Sequence, residues 1–347
     1  MDAKQKEEEA FLRTQSFDTR CVQSGSAPNS AIGSIVTPID LSTLFEKTDT
    51  RLPGNGKPFL YTRLGNPTRL ALETQISSIF QLNHCTVTNN ISAAYYSFSL
   101  NYNCQTDGIL VISQREPFKE MIKKIFAEGP QSFGNFALMD NAPTEIDKSV
   151  KLVILELVQT KDMTVISDEQ VKALNAMCKA QGAHLIVDIS TGYQMIKRHE
   201  FSDEFDYMVA DLSYFAGIQG NAGAAILAND QAVFAKVQGV VNFIGNGLQP
   251  MDCFMTQRGL KTLGLRLDHQ LKASEALTQK LRDKGLDATS VAGILKIANE
   301  EKNEEALVRF KRGPKQSSNV THLENQLVFL GIEEVDDLFE ELLKVYI

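Results

Sequence analysis

Two aspartates stand where an α/β protein does its chemistry. Asp188 closes the apolar run "HLIVD" and Asp211 closes "YMVAD", each at or just beyond the carboxyl end of a segment that reads as a strand. Ligands of open α/β sheets bind outside those ends, near the switch in strand order, so carboxylates placed there are candidates for acid–base work or for holding a ligand group. The other assignment for each is a turn or N-cap aspartate. No nucleophile or metal motif accompanies them. The chain has no P-loop, no G-x-S-x-G elbow and no HExxH, and His84, His184, His199, His269 and His322 lack metal-ligand spacing. "GIQGNAG" (217–223) spaces its glycines G-x-x-G-x-x-G, which reads as a turn into a strand.

The elements that must position these acids alternate. After "GNPT", with Thr68 as a possible cap, "RLALETQISSIF" reads as a helix. "HCTVT", "GILVIS", "KLVILEL", "HLIVDIS", "YMVADLS" and "AGAAILA" read as strands. "SAAYYSFSL", "KEMIKKIFAEG" and "DEQVKALNAMCKAQG" read as helices, the last opened by a Ser167/Gln170 capping box and followed by Gly182. "KLVILEL" is a near-continuous apolar run, which fits a strand buried on both faces of a parallel sheet. About 150 residues of alternating strand and helix predict an open α/β sheet with helices on both sides.

The flanks differ. Residues 1–60 read as an irregular arm, with turn-formers in "SGSAPNSAIG" and "RLPGNGKP". Beyond residue 235, "DCFMTQRGLKTLGLRLDHQLKASEALTQKLRDKG" reads as one long helix and "VAGILKIA" as a short strand. "NEEKNEEALVRFKRGPKQSSN" is charged, "QLVFLGI" reads as a last strand, and "EEVDDLFEELLKVY" as a closing amphipathic helix. The expected organisation is an arm at an interface (1–60), a large α/β domain (61–235), and an interdomain helix with a small α+β domain (236–347).

Composition narrows the function classes. With 35 basic and 43 acidic residues and a net charge of -8, the chain is poorly suited to sequence-independent nucleic-acid binding. Cys21, Cys85, Cys104, Cys178 and Cys253 are scattered, odd in number and without CxxC spacing, which fits free thiols in a reducing compartment. "MDAKQKEEEAFLR" is unlike a signal peptide, and no apolar run approaches the ~20 residues that span a bilayer. The expected location is cytoplasmic, with no nucleic-acid or membrane partner.

Four segments in order carry a resemblance more specific than any single motif: "TRCVQSGSAPNSAIGSIVTPIDLSTLFE" (19–46), "YTRLGNPTRLALE" (61–73), "LIVDIS" (185–190) and "DCFMTQRGLKTLGLRLDHQ" (252–270). "GIEEVDDLFEELL" (331–343) adds to them. The chain resembles the trans-sulfuration, or Cys/Met metabolism, family of pyridoxal-phosphate enzymes, which includes cystathionine gamma-synthase and the cystathionine lyases. The resemblance implies an α/β fold of the aspartate-aminotransferase type: a large, mixed but mostly parallel sheet between helices, plus a smaller α+β domain, here shortened. It also implies pyridoxal phosphate as cofactor, and assembly into oligomers with sites at a dimer interface.

Carried over residue by residue, the match is divided. Tyr61 and Arg63 match a Tyr-x-Arg that in the family reaches a neighbouring subunit's cofactor phosphate. Asp188 matches the acid that pairs with the pyridine nitrogen, and Ser213 stands where a phosphate-binding threonine is usual. The rest departs. Tyr214 occupies the Schiff-base lysine position, and no lysine lies between Lys197 and Lys236. Asp211 replaces a phosphate-binding serine, Asn89 and Asn90 replace the Ser-Gly phosphate loop, and Glu116 aligns near the stacking tyrosine. Glu156 and Thr160 fall in the loop that is "ETPTNP" in the family, and Leu327 or Phe329 replaces the carboxylate-binding arginine.

Tyrosine forms no aldimine, and its pKa of about 10 suits it poorly to proton shuttling at neutral pH. A carboxylate ~4 Å from a phosphate dianion is opposed by on the order of 8 kcal/mol at an effective dielectric near 20. The leading expectation is therefore a non-catalytic member of the family with weak or absent cofactor binding, assembling with itself or with an active paralogue. Two others stay open: a true trans-sulfuration lyase or synthase, and a small-molecule binder that uses the old cleft.

Overall fold

The computed structural model describes residues 3–26, 35–45, 59–192, 204–217, 223–298, 322–324 and 327–346. The segments 51–58 and 299–319, and most of 217–223, lie outside them. The large domain is built on a seven-stranded sheet in the order β1-β9-β8-β7-β4-β2-β3. Its strands are β1 (His84–Thr88), β2 (Gly108–Ile112), β3 (Phe136–Met139), β4 (Val150–Glu156), β7 (His184–Asp188), β8 (Tyr207–Asp211) and β9 (Ala224–Ala228). All neighbours pair in parallel except β9, which runs antiparallel to both β1 and β8. A short ribbon, β5 (Val158–Gln159) with β6 (Thr164–Val165), follows β4.

The apolar run 152–155 within β4 has a direct structural cause. Val153 and Leu155 point into one buried cluster, while Leu152 and Ile154 point into another on the opposite face. A strand covered on both faces leaves no position for a polar residue until it reaches the edge. Helices α3 (Pro67–Phe80) and α6 (Asp168–Ala180) cover the first face; α4 (Ile91–Ser99), α5 (Glu116–Phe126) and α8 (Gln231–Ile244) cover the second. The Ser167/Gln170 capping box forms as expected, and Gly182 follows it at φ 65°.

The cap of α3 differs from the expected one. Asn66, not Thr68, accepts from the amides of Thr68 and Arg69, at 2.9 and 3.3 Å, with Pro67 opening the helix. Thr68 instead donates to the Pro38 carbonyl and accepts from the Asp40 amide, tying down the preceding chain. The Asn66 side-chain amide also donates to Asp40 O and Thr62 Oγ1. Asn66→Ala removes the cap and both ties, and is expected to cost about 2 kcal/mol in urea unfolding. Asn66→Asp, which keeps the cap alone, is expected to fall between.

Two further differences have local causes. The N-terminal segment is not irregular throughout, because α1 (Ala3–Arg13) and α2 (Phe17–Gln23) are helical. Tertiary bonds rather than periodicity hold them: Arg13 donates to Leu82 O at 3.1 Å, and Glu9 accepts from the Gly25 amide at 2.8 Å. The expected long helix is two, α9 (Pro250–Leu260) and α10 (Leu263–Asp283). A Cβ on Gly259 would lie 1.5 Å from the Ala216 carbonyl oxygen, so the end of α9 presses on the end of α7 (Leu212–Phe215). Arg266 then ties the break, donating to both Phe215 O and Gly259 O.

The small domain is a four-stranded antiparallel sheet in the order β10-β11-β13-β12. Its strands are β10 (Ala288–Val291), β11 (Ile294–Ile297), β12 (His322–Glu324) and β13 (Leu327–Phe329). "VAGILKIA" is thus the turn and second strand of a hairpin, with Ala292 and Gly293 both at positive φ. Such a pair matches the right-handed twist of a two-residue hairpin turn. The sheet has two buried faces. Leu295 and Val328 pack against α10 and α11 (Val335–Tyr346), whereas Ile294, Leu327 and Phe329 join the core of the large domain. Among the described residues no helix is long and apolar enough to cross a membrane.

Candidate functional site

The carboxyl ends of β4, β7 and β8 lie side by side, with Glu156 in register with Asp188, and Asp188 with Val209. Asp211 lies two residues further along β8, in register with Ala224, which on its other side faces Thr88 of β1. Parallel strands therefore deliver Glu156, Asp188 and Asp211 to one edge, where the topology predicts a site.

Hydrogen bonds through Ser190 link the two aspartates. The Ser190 amide donates to Asp188 Oδ1 at 2.8 Å, and Ser190 Oγ accepts from the Asp211 amide at 2.9 Å. Asp211 Oδ1 accepts from Ser213 twice, from its amide at 3.0 Å and its hydroxyl at 2.6 Å. This is the capping alternative for Asp211, since it opens α7. It also engages the Ser213 hydroxyl, which the resemblance assigns to a cofactor phosphate.

Asp188 is wholly buried, and its second oxygen is also engaged. The Tyr95 hydroxyl donates to Oδ2 at 2.5 Å. Burial and the neighbouring Glu156 raise the Asp188 carboxyl to about 6, against the bonds from Tyr95 and Ser190, which favour the charged form. Glu156, equally buried, accepts from Ser113 Oγ at 2.5 Å, Thr191 Oγ1 at 3.1 Å and Arg115 Nε at 2.8 Å. Because the folded chain holds its Asp188 proton more tightly than the unfolded chain, it binds more protons over this range. Stability from this group is complete below about pH 4 and is lost as pH rises through about 6, by on the order of 2–3 kcal/mol. Glu73, raised to about 7 by burial, slopes the same way, so the test is a difference. Asp188→Asn is expected to flatten the urea-unfolding profile relative to the parent between pH 4 and 7.

Tyr214 lies in the same buried edge, 4% exposed. Its ring meets Phe329 of the small domain at 5.8 Å between centroids, tilted by 31°. Tyr214 thus packs on Phe329, one of the two residues that the resemblance sets at the place of the carboxylate-binding arginine. The other, Leu327, belongs to the same cluster. An apolar contact spans the place where the resemblance expects an amine and a guanidinium.

Other expected members lie apart from this edge or serve local structure. Tyr61 is half-buried and pairs through a β-bridge with Leu44. Arg63 is exposed, stacks over Tyr61 at 5.3 Å and donates to the Phe243 carbonyl at 3.3 Å, near the end of α8. Asn90 caps α4 through the Ala93 amide, and the Asn89 amide donates to Asn246 O. Glu116 is an exposed ion-pair partner of Lys119 and Lys161, at 3.2 and 3.7 Å, rather than an unpaired acid over a ring face. Thr160 is buried directly after β5, four residues beyond Glu156. Among the described residues no three His, Cys, Asp or Glu are grouped to hold a metal ion.

Sequence reasoning missed Tyr95, Ser190, Thr191 and Arg115. Tyr95 alone carried a usable signal. Ile91, Ala94, Tyr95 and Phe98 share the buried stripe of α4, and a tyrosine there must find an acceptor for its hydroxyl.

A family model described as Cys/Met metabolism PLP-dependent enzyme matches residues 18–295. A probable cystathionine gamma-synthase of Herpetosiphon aurantiacus is 22% identical over 269 residues, 77% of this chain and 82% of that protein. A cystathionine gamma-lyase of Dictyostelium discoideum is 24% identical over 265 residues, 74% of this chain and 65% of that protein. Among solved structures, the apo form of a methionine gamma lyase from Micromonospora echinospora superposes with a TM-score of 0.79 at 20% identity, covering 95% of this chain and 99% of that one. Cystathionine gamma-lyase from yeast gives a TM-score of 0.78 at 18% identity, covering 96% and 98%. At these identities the structural likeness speaks for the fold alone.

Proposed function

Since the chain belongs to the Cys/Met metabolism family of PLP-dependent enzymes, we propose that it is a member without the family's chemistry, serving as a structural or regulatory subunit beside an active family chain. The observation that carries this reading is Tyr214. By the resemblance it stands at the lysine position, and it is buried and packs on Phe329. A phenol offers neither the imine-forming amine nor a base suited to neutral pH.

The residues around it do not fit pyridoxal phosphate either. Ser213 and Asp211 are bonded to each other, and the Asp211 carboxylate opposes an anionic group at the same loop. Asp188 already has a donor on each oxygen.

What the chain keeps is surface. Ile35, Leu41, Leu44, Leu64 and Phe243 are between 55% and 83% exposed. The pairing of 43–45 with 60–62 and the Arg63 bond to Phe243 O join most of this face. Monomers rarely expose contiguous apolar patches beyond a few hundred Å², and a stable partnership takes ~800 Å² from each side. A second chain of the same fold is the occupant that we propose, an active paralogue before another copy.

Two measurements test the reading. A chain that bound the cofactor would gain about 2.7 kcal/mol at a hundredfold excess over Kd; here the melting midpoint is expected not to move on adding pyridoxal phosphate. Co-expression with an active family chain of the same organism, followed by native mass measurement, is expected to give mixed oligomers. Exclusive self-assembly would remove the subunit role.

A further inference from the structure

We propose that Tyr95 is what shuts the Asp188 carboxylate to ligands: its hydroxyl holds the place that the N–H of a small planar nitrogen heteroaromatic cation would take. This rests on the reading that the chain works without the cofactor, and moves the cause from the missing lysine to the opposite end of the site.

The geometry leaves Tyr95 little alternative. It is wholly buried on the inner stripe of α4, its ring edge-on to Phe118 at 5.7 Å and tilted against Phe98 at 6.4 Å. From there the hydroxyl cannot reach water without the ring leaving the core. Its bond to Asp188 Oδ2 is therefore mutually required, because a buried hydroxyl without an acceptor is costly and a buried carboxylate without a donor more so. A phenol also imitates the ligand class in shape, being a flat six-membered ring with one donor at its tip.

The surroundings favour a cation once the ring is gone. Facing Asp188 are Glu156 from β4 and Tyr95 from α4, while Arg115, at the start of α5, is engaged at 2.8 Å on Glu156. Two carboxylates against one guanidinium leave the pocket acidic. Removing the phenol would expose an aromatic-walled hole with an anion at its end.

The test uses the full chain with 4-aminopyridine, which is cationic at neutral pH, and measures melting midpoint and calorimetric binding. The parent is expected not to respond at millimolar concentrations. Tyr95→Ala is expected to bind, with a rise of several degrees, and Tyr95→Ala with Asp188→Asn is expected to lose that binding. Equal binding by the parent, or undiminished binding by the double variant, would overturn the proposal. Should Tyr95→Ala not fold, Tyr95→Phe decides. It keeps the ring and deletes the donor, so its stability deficit is expected above pH 6 and to shrink toward pH 5, where Asp188 is protonated. A deficit independent of pH would show that the hydroxyl does not hold the carboxylate. The cofactorless reading fails separately, through site binding of pyridoxal phosphate by the parent, and a silent Tyr95→Ala leaves that reading untouched.

Discussion

Tyr214→Lys is expected to lose roughly 3–5 kcal/mol of stability and to gain no cofactor chemistry. The substitution removes a ring packed on Phe329 in a cluster that also holds Leu327 and Ile294. It puts an amine into the same apolar space, where the charged form is strongly disfavoured. Nor does an amine alone rebuild a site. Asp211 and Ser213 still bond each other, and Tyr95 still holds Asp188. Urea unfolding gives the stability loss. Borohydride reduction after incubation with pyridoxal phosphate, followed by peptide mapping, reports whether position 214 forms an imine. A variant as stable as the parent and labelled stoichiometrically there would mean that the lysine was the only part missing.

The second large effect is expected at Arg115. Its Nε lies 2.8 Å from Glu156, which is wholly buried, while the arginine side chain is 10% exposed. Arg115→Met leaves that carboxylate in a low-dielectric interior with, among the described residues, the Ser113 and Thr191 hydroxyls, and is expected to cost about 3–5 kcal/mol. The pair itself is worth less than its breakage suggests, because both ions were taken from water. Arg115→Met with Glu156→Gln is accordingly expected to recover most of the loss. Urea midpoints of the two singles and the double form the cycle that measures this. Additive losses would mean that Arg115 contributes by packing on Phe118, over which it lies at 5.7 Å, rather than by neutralising Glu156.

Much of this molecule was legible in its sequence because the signals are local. The apolar run of β4, the capping box of α6 and the strands that end at Asp188 and Asp211 each follow from neighbours within a few residues. The family was legible for another reason: the segments that carry the likeness flank Tyr214 and do not depend on it. What escaped is non-local. Tyr95 meets Asp188 across 93 residues of chain, and Phe329 of the small domain joins the cluster that holds Tyr214 only through tertiary packing. The division between α9 and α10 depends on Gly259 pressing against Ala216, a contact between segments 43 positions apart that no periodicity encodes. The polar N-terminal helix escaped because its bonds to Leu82 and Gly25, rather than an apolar stripe, hold it.

The departures from the family pattern also share a physical logic. At three places where the resemblance sets a ligand contact, a partner within the chain stands instead: Asp211 on Ser213, Tyr95 on Asp188, and Phe329 against Tyr214. Buried polar groups demand partners. On the proposed reading, a cleft without the cofactor remains foldable because its own side chains supply them. The same economy explains why a single reversion is expected to damage the fold before it restores anything.

The central claim, that this fold works without pyridoxal phosphate, is tested most directly by the visible absorbance of the purified chain before and after one equivalent of the cofactor. The expected spectrum is that of a colourless protein, and after addition that of protein plus free cofactor, with the colour removed by gel filtration. A stoichiometric yellow band that survives gel filtration would contradict it.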